Sequence, residues 1–196
     1  MAVRSILLVS IALVAALAAG CGTAPSRFYT LDSTAAADGT PPARCAVIVG
    51  PVGVPASVDR AEFVVQVAPN RVEIDEFNRW AAPLGDSIAS IVAANLIVLL
   101  GTPEVATAPF ANFNPDYRVT INVQRFESVR AEAAIVEAVW AVQKRGGGAP
   151  RSGRTVAREA VQGEGFDALA AGHSRALATM SADIAAAIRA ANDTVH

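Results

Sequence analysis

Apolar and polar positions change rhythm several times along this chain. Residues 6–19 are almost uniformly apolar, a run too short for a spanning helix, which takes about 20 residues. Residues 45–52 are again apolar, β-branched at Val47, Ile48 and Val49 and closed by Gly50-Pro51, and predict a strand. Valine-rich residues 62–68 predict a second strand. Pro69-Asn70 turns the chain, and residues 71–75 predict a third strand that completes a hairpin. From Pro83 the period becomes helical: Leu84, Ile88, Ile91, Val92, Leu96 and Leu99 share a face until Gly101-Thr102-Pro103 stops the run. Pro83 suits a first turn, where a missing N–H costs nothing. Asn95 falls on the same stripe, where a hydrogen-bonded structural role is expected.

Val119, Ile121 and Val123 then alternate with Thr120, Asn122 and Gln124, the pattern of a half-buried strand. Residues 132–144 contain alanines and glutamates that would accept a helix. Ile135, Val136, Val139, Trp140 and Val142 favour a strand, and a strand is the reading adopted. Residues 145–154, with Gly146-Gly147-Gly148, predict a hairpin loop, and residues 155–162 the last strand. Phe166, Leu169, His173, Leu177, Met180, Ile184 and Ile188 mark one face of a C-terminal helix. The order strands, helix, strands, helix predicts an α+β domain: a mainly antiparallel sheet with two helices packed on one face.

The first apolar run has a separate meaning. Arg4 and the free amine precede it, and Leu17-Ala18-Ala19-Gly20-Cys21 follows. A cationic start, a short apolar core and small residues before a cut make a secretory signal. A cysteine immediately after them is what a bacterial lipoprotein box requires, because its thiolate accepts a diacylglycerol. Residues 1–20 are therefore expected to be a signal peptide, with diacylglycerol and an N-acyl chain such as palmitate on Cys21. Ala18 stands where leucine is commoner. The competing readings are an ordinary secreted protein and an uncleaved anchor. Gly22 replaces the aspartate that retains such proteins at the inner membrane, which points to the periplasmic face of the outer membrane. Residues 21–43, rich in Ala, Asp, Gly, Thr and Pro from residue 32 onward, are expected as a lipidated N-terminus and tether. Residues 44–196 are expected as one periplasmic domain.

Composition narrows the chemistry. Sixteen Lys and Arg stand against eighteen Asp and Glu, a net charge of −2, and no concentrated basic patch invites nucleic acid. With Cys21 acylated, only Cys45 remains, so no intramolecular disulfide is expected even in an oxidising compartment. Its apolar setting suits a buried, inert thiol. The histidines are His173 and His196. His173 adjoins Ser174, but neighbours on a helix point about 100° apart, and no G-x-S-x-G elbow is present. One available cysteine and no histidine pair at ligand spacing argue against zinc. Gly146-Gly147-Gly148 lacks the Lys-Ser/Thr of a phosphate loop, and Asp75 and Glu76 suit a solvated turn. The expectation is a protein that is not an enzyme, with no metal and no cofactor beyond covalent lipid.

Three ordered segments behind the cysteine carry a family resemblance. Phe28-Tyr29-Thr30-Leu31 comes first. Ile48-Val49-Gly50-Pro51-Val52-Gly53-Val54-Pro55 follows, with Val58-Asp59-Arg60 close behind, and Trp80-Ala81-Ala82-Pro83-Leu84 opens the first helix. Together they resemble the PqiC-like, or ABC-type transport auxiliary, lipoproteins. The resemblance implies an accessory subunit of an envelope lipid-transport system that docks an MCE-type periplasmic protein at the outer membrane, and it implies a homo-oligomer. The residues it offers as a partner or oligomer interface are Phe28, Tyr29, Pro51, Arg60 and Trp80. A stand-alone lipoprotein holding a lipid or small apolar ligand between helices and sheet is the alternative. A hydrolase would need a nucleophile and a base in contact.

Overall fold

Two helices cover one face of a single curled sheet, and among the described residues no helix covers the other. The computed structural model describes residues 25–193. The expected signal peptide, Cys21 and His196 lie outside the described residues. The elements are β1 (Arg27–Tyr29), β2 (Val47–Gly53), β3 (Glu62–Ala68), β4 (Arg71–Trp80), α1 (Leu84–Leu100), β5 (Val105–Thr107), β6 (Tyr117–Val129), β7 (Ala133–Lys144), β8 (Arg151–Ala160) and α2 (Phe166–Asp193). No helix among the described residues is long and apolar enough to cross a membrane.

Strand β6 organises the sheet. Along one edge it pairs antiparallel with β7, which pairs antiparallel with β8. Its other edge is shared. β2 runs parallel to its first half, from Val47↔Tyr117 to Gly53↔Asn122. β3 joins only at Val65↔Ser128 and Gln66↔Val129. Residues 54–61 leave the sheet between these contacts, so the edge forks. The β3–β4 hairpin is antiparallel, β1 adds to β4 in parallel, and β5 adds to β2 in parallel. The α+β architecture with helices on one face is as expected, but the sheet is mixed rather than mainly antiparallel. Apolar alternation reports which face of a strand is buried, not the direction of its neighbour.

The core lies between sheet and helices. Leu84, Ile88, Val92, Leu96 and Leu100 of α1 and Leu169, Leu177, Met180, Ile184 and Ile188 of α2 meet Val47, Val49, Val119, Ile121, Val136 and Val142. At one end an aromatic cluster closes the fold. Phe63 stacks on Trp80 with centroids 4.2 Å apart, Tyr29 meets Phe63 edge-on, and Phe166 packs against both Tyr29 and Phe63. Such pairs add about 0.5–1.5 kcal/mol each beyond their buried area.

The segment expected as a tether is docked from Tyr29 to Ala43. After β1 it lies along both helices. Asp32 N–H donates to Ser174 Oγ at 3.1 Å, and Thr34 Oγ1 donates to the Ser174 carbonyl. Buried Asn95 accepts from Ser33 Oγ at 2.7 Å and from Ala35 N–H at 3.2 Å, and donates to Ser181 Oγ of α2 at 3.2 Å. Arg189 donates to the carbonyls of Pro41 and Leu99. Ala43 N–H ends the strap on Leu100 O at 2.7 Å. Contacts rise in number along the strap, α1 and α2 together, so the helices are parallel and the strap runs with them. Gly101 caps α1 with φ 64°, and an added Cβ would stand 3.2 Å from Pro42. Only glycine satisfies both the left-handed cap and that close approach.

Candidate functional site: the open face of the sheet

Register defines the bare face. On β7, Ile135, Glu137, Val139 and Ala141 point away from the helices. Opposite them stand Glu127, Arg125, Asn122 and Thr120 of β6 and Arg158, Val156, Arg154 and Ser152 of β8. A bulge between Val123 and Arg125 reverses the alternation of β6, which puts Arg125 on this face and Phe126 and Ser128 in the core.

Glu137 is the centre of the face. Arg154 hydrogen-bonds its Oε1, and Arg125 Nη1 lies 3.6 Å from its Oε2. Arg125 also grips Glu127 through two bonds of 2.9 and 2.7 Å. The hydrogen bond from Arg154 holds the Glu137 carboxyl below the usual carboxylate range, and Arg125 adds to the effect. Arg158 pairs with Glu132 at the far end. Val139 and Val156 stand exposed between the charges. These charge pairs tie β6, β7 and β8 together across the sheet, and the bare valines lie among them. The face suits contact with another surface, where the charges set register and the valines supply apolar area.

Two hollows flank this network. One, of about 270 Å³, lies in the fork, between the hairpin at Val64, Gln66 and Val72, the loop at Pro55–Val58, and β6 at Gln124–Ser128. The other, more open, is bordered by Pro51–Val54, Thr120 and Val139. The Gly-Pro-Val-Gly-Val-Pro segment thus borders both.

The residues singled out from sequence are dispersed. Phe28, Pro51 and Arg60 are exposed, while Tyr29 and Trp80 are buried in the aromatic cluster. Pro51 borders the open face and Phe28 stands on the far edge strand. Arg60 follows the turn in which Asp59 N–H donates to Pro55 O. Cys45 is buried, and burial pushes its thiol up. Sequence reasoning missed Glu137, Arg125 and Arg154. The signal available was an acid between Val136 and Val139 in a strand otherwise free of charge until Lys144.

His173 does contact a serine, though not its neighbour. Its Nε2 lies 2.8 Å from Ser128 Oγ, its ring stacks on Phe126 at 3.8 Å, and Nδ1 has no hydrogen-bond partner. Ser174 instead donates to Ala170 O. Burial lowers the imidazole from 6.5 to about 3, so it is neutral. No carboxylate orients it, and both side chains are sealed from solvent. The pair supplies packing and one satisfied hydroxyl rather than the oriented triad that nucleophilic catalysis uses. Among the described residues, no group of three or more His, Cys, Asp or Glu is placed to hold a metal ion.

A family model described as the ABC-type transport auxiliary lipoprotein component matches residues 29–185. Among solved structures, a DUF330 protein from Xanthomonas campestris aligns with TM-score 0.71 at 18% identity, covering 87% of this chain and 100% of its own. A crystal structure of an uncharacterized protein aligns with TM-score 0.69 at 22% identity, covering 84% and 99%. A PelC dodecamer from Paraburkholderia phytofirmans reaches only TM-score 0.45 at 16% identity, covering 81% and 93%. No curated protein matches the sequence.

Proposed function

The chain belongs to the ABC-type transport auxiliary lipoprotein components, and from that membership we propose that it is acylated on Cys21, faces the periplasm from the outer membrane, and docks the MCE-type protein of a lipid-transport system on the open face of its sheet. Membership makes it an auxiliary part of a transport system. The docking reading rests on one observation: the Arg125–Glu137–Arg154 network and the exposed Val139 and Val156 occupy a sheet face that no described element covers. Acyl anchoring confines encounter to a thin layer and raises effective concentration, so a modest interface is enough. The work is binding and tethering, without bond breaking. Self-association would use the sheet edges, where β8 and β5 have unpaired backbone.

The test is crosslinking in intact cells followed by affinity capture. Wild type is expected to retain an MCE-type partner, and Arg154→Glu combined with Val156→Asp to lose it while staying in the outer-membrane fraction. Cys21→Ala is expected to leave that fraction. A wild type that captures no MCE-type protein sinks the tethering role.

A further inference from the structure

Four of the exposed large apolar side chains gather on two neighbouring strands. Phe28 of β1 is 64% exposed, and Val72, Ile74 and Phe77 of β4 are 57%, 48% and 39% exposed. β1 covers β4 only at Asn78, Arg79 and Trp80, so residues 71–77 form an open edge. Tyr29 and Trp80 pair on the inner side, which turns Phe28 outward beside Arg79. Val72 and Ile74 pair with Gln66 and Val64 on the same outer side. Of the three acids of this strand, Glu73 pairs with Arg130, Asp75 accepts from the N–H groups of Phe77 and Asn78, and Glu76 stands exposed beside Phe77. Scattered apolar residues are ordinary on a surface, but a row of them along one edge marks a contact.

The covalent chain says what that contact is. β1 begins six residues after Cys21. A fully extended chain from Cys21 to Phe28 spans at most about 25 Å. The strap beyond β1 is fastened to both helices, so no slack comes from that side. We propose that the β1–β4 edge seats against the bilayer surface, with Phe28, Ile74 and Phe77 in the headgroup layer; this rests on acylation of Cys21. Aromatic rings are favoured at that depth. Arg71 adjoins Val72 at the start of the strand and is exposed, where it meets lipid phosphates; Arg27 is on the Tyr29 side of β1. Seating the edge converts a swivelling anchor into a fixed orientation.

The test uses the lipidated chain, purified and reconstituted in phosphatidylethanolamine–phosphatidylglycerol vesicles. Cys45 is buried and Cys21 carries acyl chains, so Phe28→Cys, Phe77→Cys and, as reference, Val156→Cys each take a nitroxide at one place. Phe28 and Phe77 are exposed, so the fold tolerates both labels. The expected result is collision with oxygen and several-fold weaker collision with a water-soluble nickel chelate at 28 and 77 than at 156. Floating vesicles with equal nickel collision at all three positions overturn the seating and leave the anchor standing. Dipolar broadening at 28 or 77 assigns the edge to a second copy and also overturns it. A chain that does not float overturns the anchor, and the seating with it.

Discussion

Asn95→Ala tests the strap most directly. The side chain is buried and makes three hydrogen bonds, from Ser33 Oγ and Ala35 N–H into its carbonyl oxygen and from its amide to Ser181 Oγ. At about 1 kcal/mol net each, truncation loses about 3 kcal/mol. Ser181 keeps its bond to Leu177 O, so its hydroxyl is not stranded, and Ser33 turns to water. The Ala35 N–H is half-buried and loses its acceptor, which keeps the total near 3 rather than 1. For a domain of this size each kcal/mol moves the midpoint by about 2–4 °C, so calorimetry should show a fall of about 6–12 °C. Amide exchange localises the effect. Ala35 should lose protection, while Ala43, bonded to Leu100 O, should keep it. Ser33→Ala removes one bond at an exposed residue and should cost about 1 kcal/mol or less. A variant that melts within about 1 °C of wild type, or a wild-type Ala35 amide that exchanges as a free peptide, refutes the docked strap.

Other consequences are as definite. A methyl placed on Gly153 would lie 2.2 Å from Trp140 Cζ2, and that ring is fixed by its N–H bond to Thr155 Oγ1 at 3.0 Å; Gly153→Ala should cost about 1–3 kcal/mol, read by urea unfolding, and a neutral variant would mean the ring does not lie over this glycine. His173 is held neutral in the fold with its pKa lowered from 6.5 to about 3. The unfolded chain binds the proton first, so stability falls as pH drops below about 6.5, by about 2 kcal/mol between pH 7 and 5. In His173→Phe that component of the acid slope should vanish, even if the variant is less stable at pH 7 because Ser128 loses its partner; an unchanged slope would locate the acid sensitivity elsewhere. Glu137→Gln keeps the shape of the open face but removes the charge under Arg125 and Arg154, and partner capture should become weaker and less salt-sensitive as judged by pull-down across a salt series.

What sequence could show followed from local rhythm. The spacing of Leu84, Ile88, Val92 and Leu96 placed α1, the stripe from Phe166 to Ile188 placed α2, β6 stood out by alternation, and Ile135, Val136, Val139, Trp140 and Val142 favoured a strand over a helix for β7. β1 and β5 are three residues each and exist only through parallel partners far along the chain, so no local pattern announces them. Asp32, Ser33 and Thr34 look like any solvated loop, because their partners Asn95 and Ser174 are 60 or more residues away. The partner of His173 was hidden by the bulge in β6. Extending the alternation of Val119, Ile121 and Val123 puts Ser128 outside, and one extra residue brings it in. The open face was hidden because Arg125, Glu137 and Arg154 come from three strands and become a site only when registered side by side.

The strap also decides how a pull from the membrane would be carried. If Cys21 is acylated as proposed, tension on it would enter at β1, where a three-residue ladder and the Tyr29 ring take the first load. Next in line are Ser174 and Asn95, then Arg189, and only at Ala43 does force reach the strand that runs through the sheet. These fasteners lie in series on the outside of the helices, so they can yield one after another while β2 to β8 stay paired. Each released residue pays out about 3.3–3.6 Å of chain, and freeing everything up to Ala43 would let the body travel roughly 75 Å from its anchor. The N-terminal segment is thus stored length under latch, a reel that shields the sheet from mechanical load.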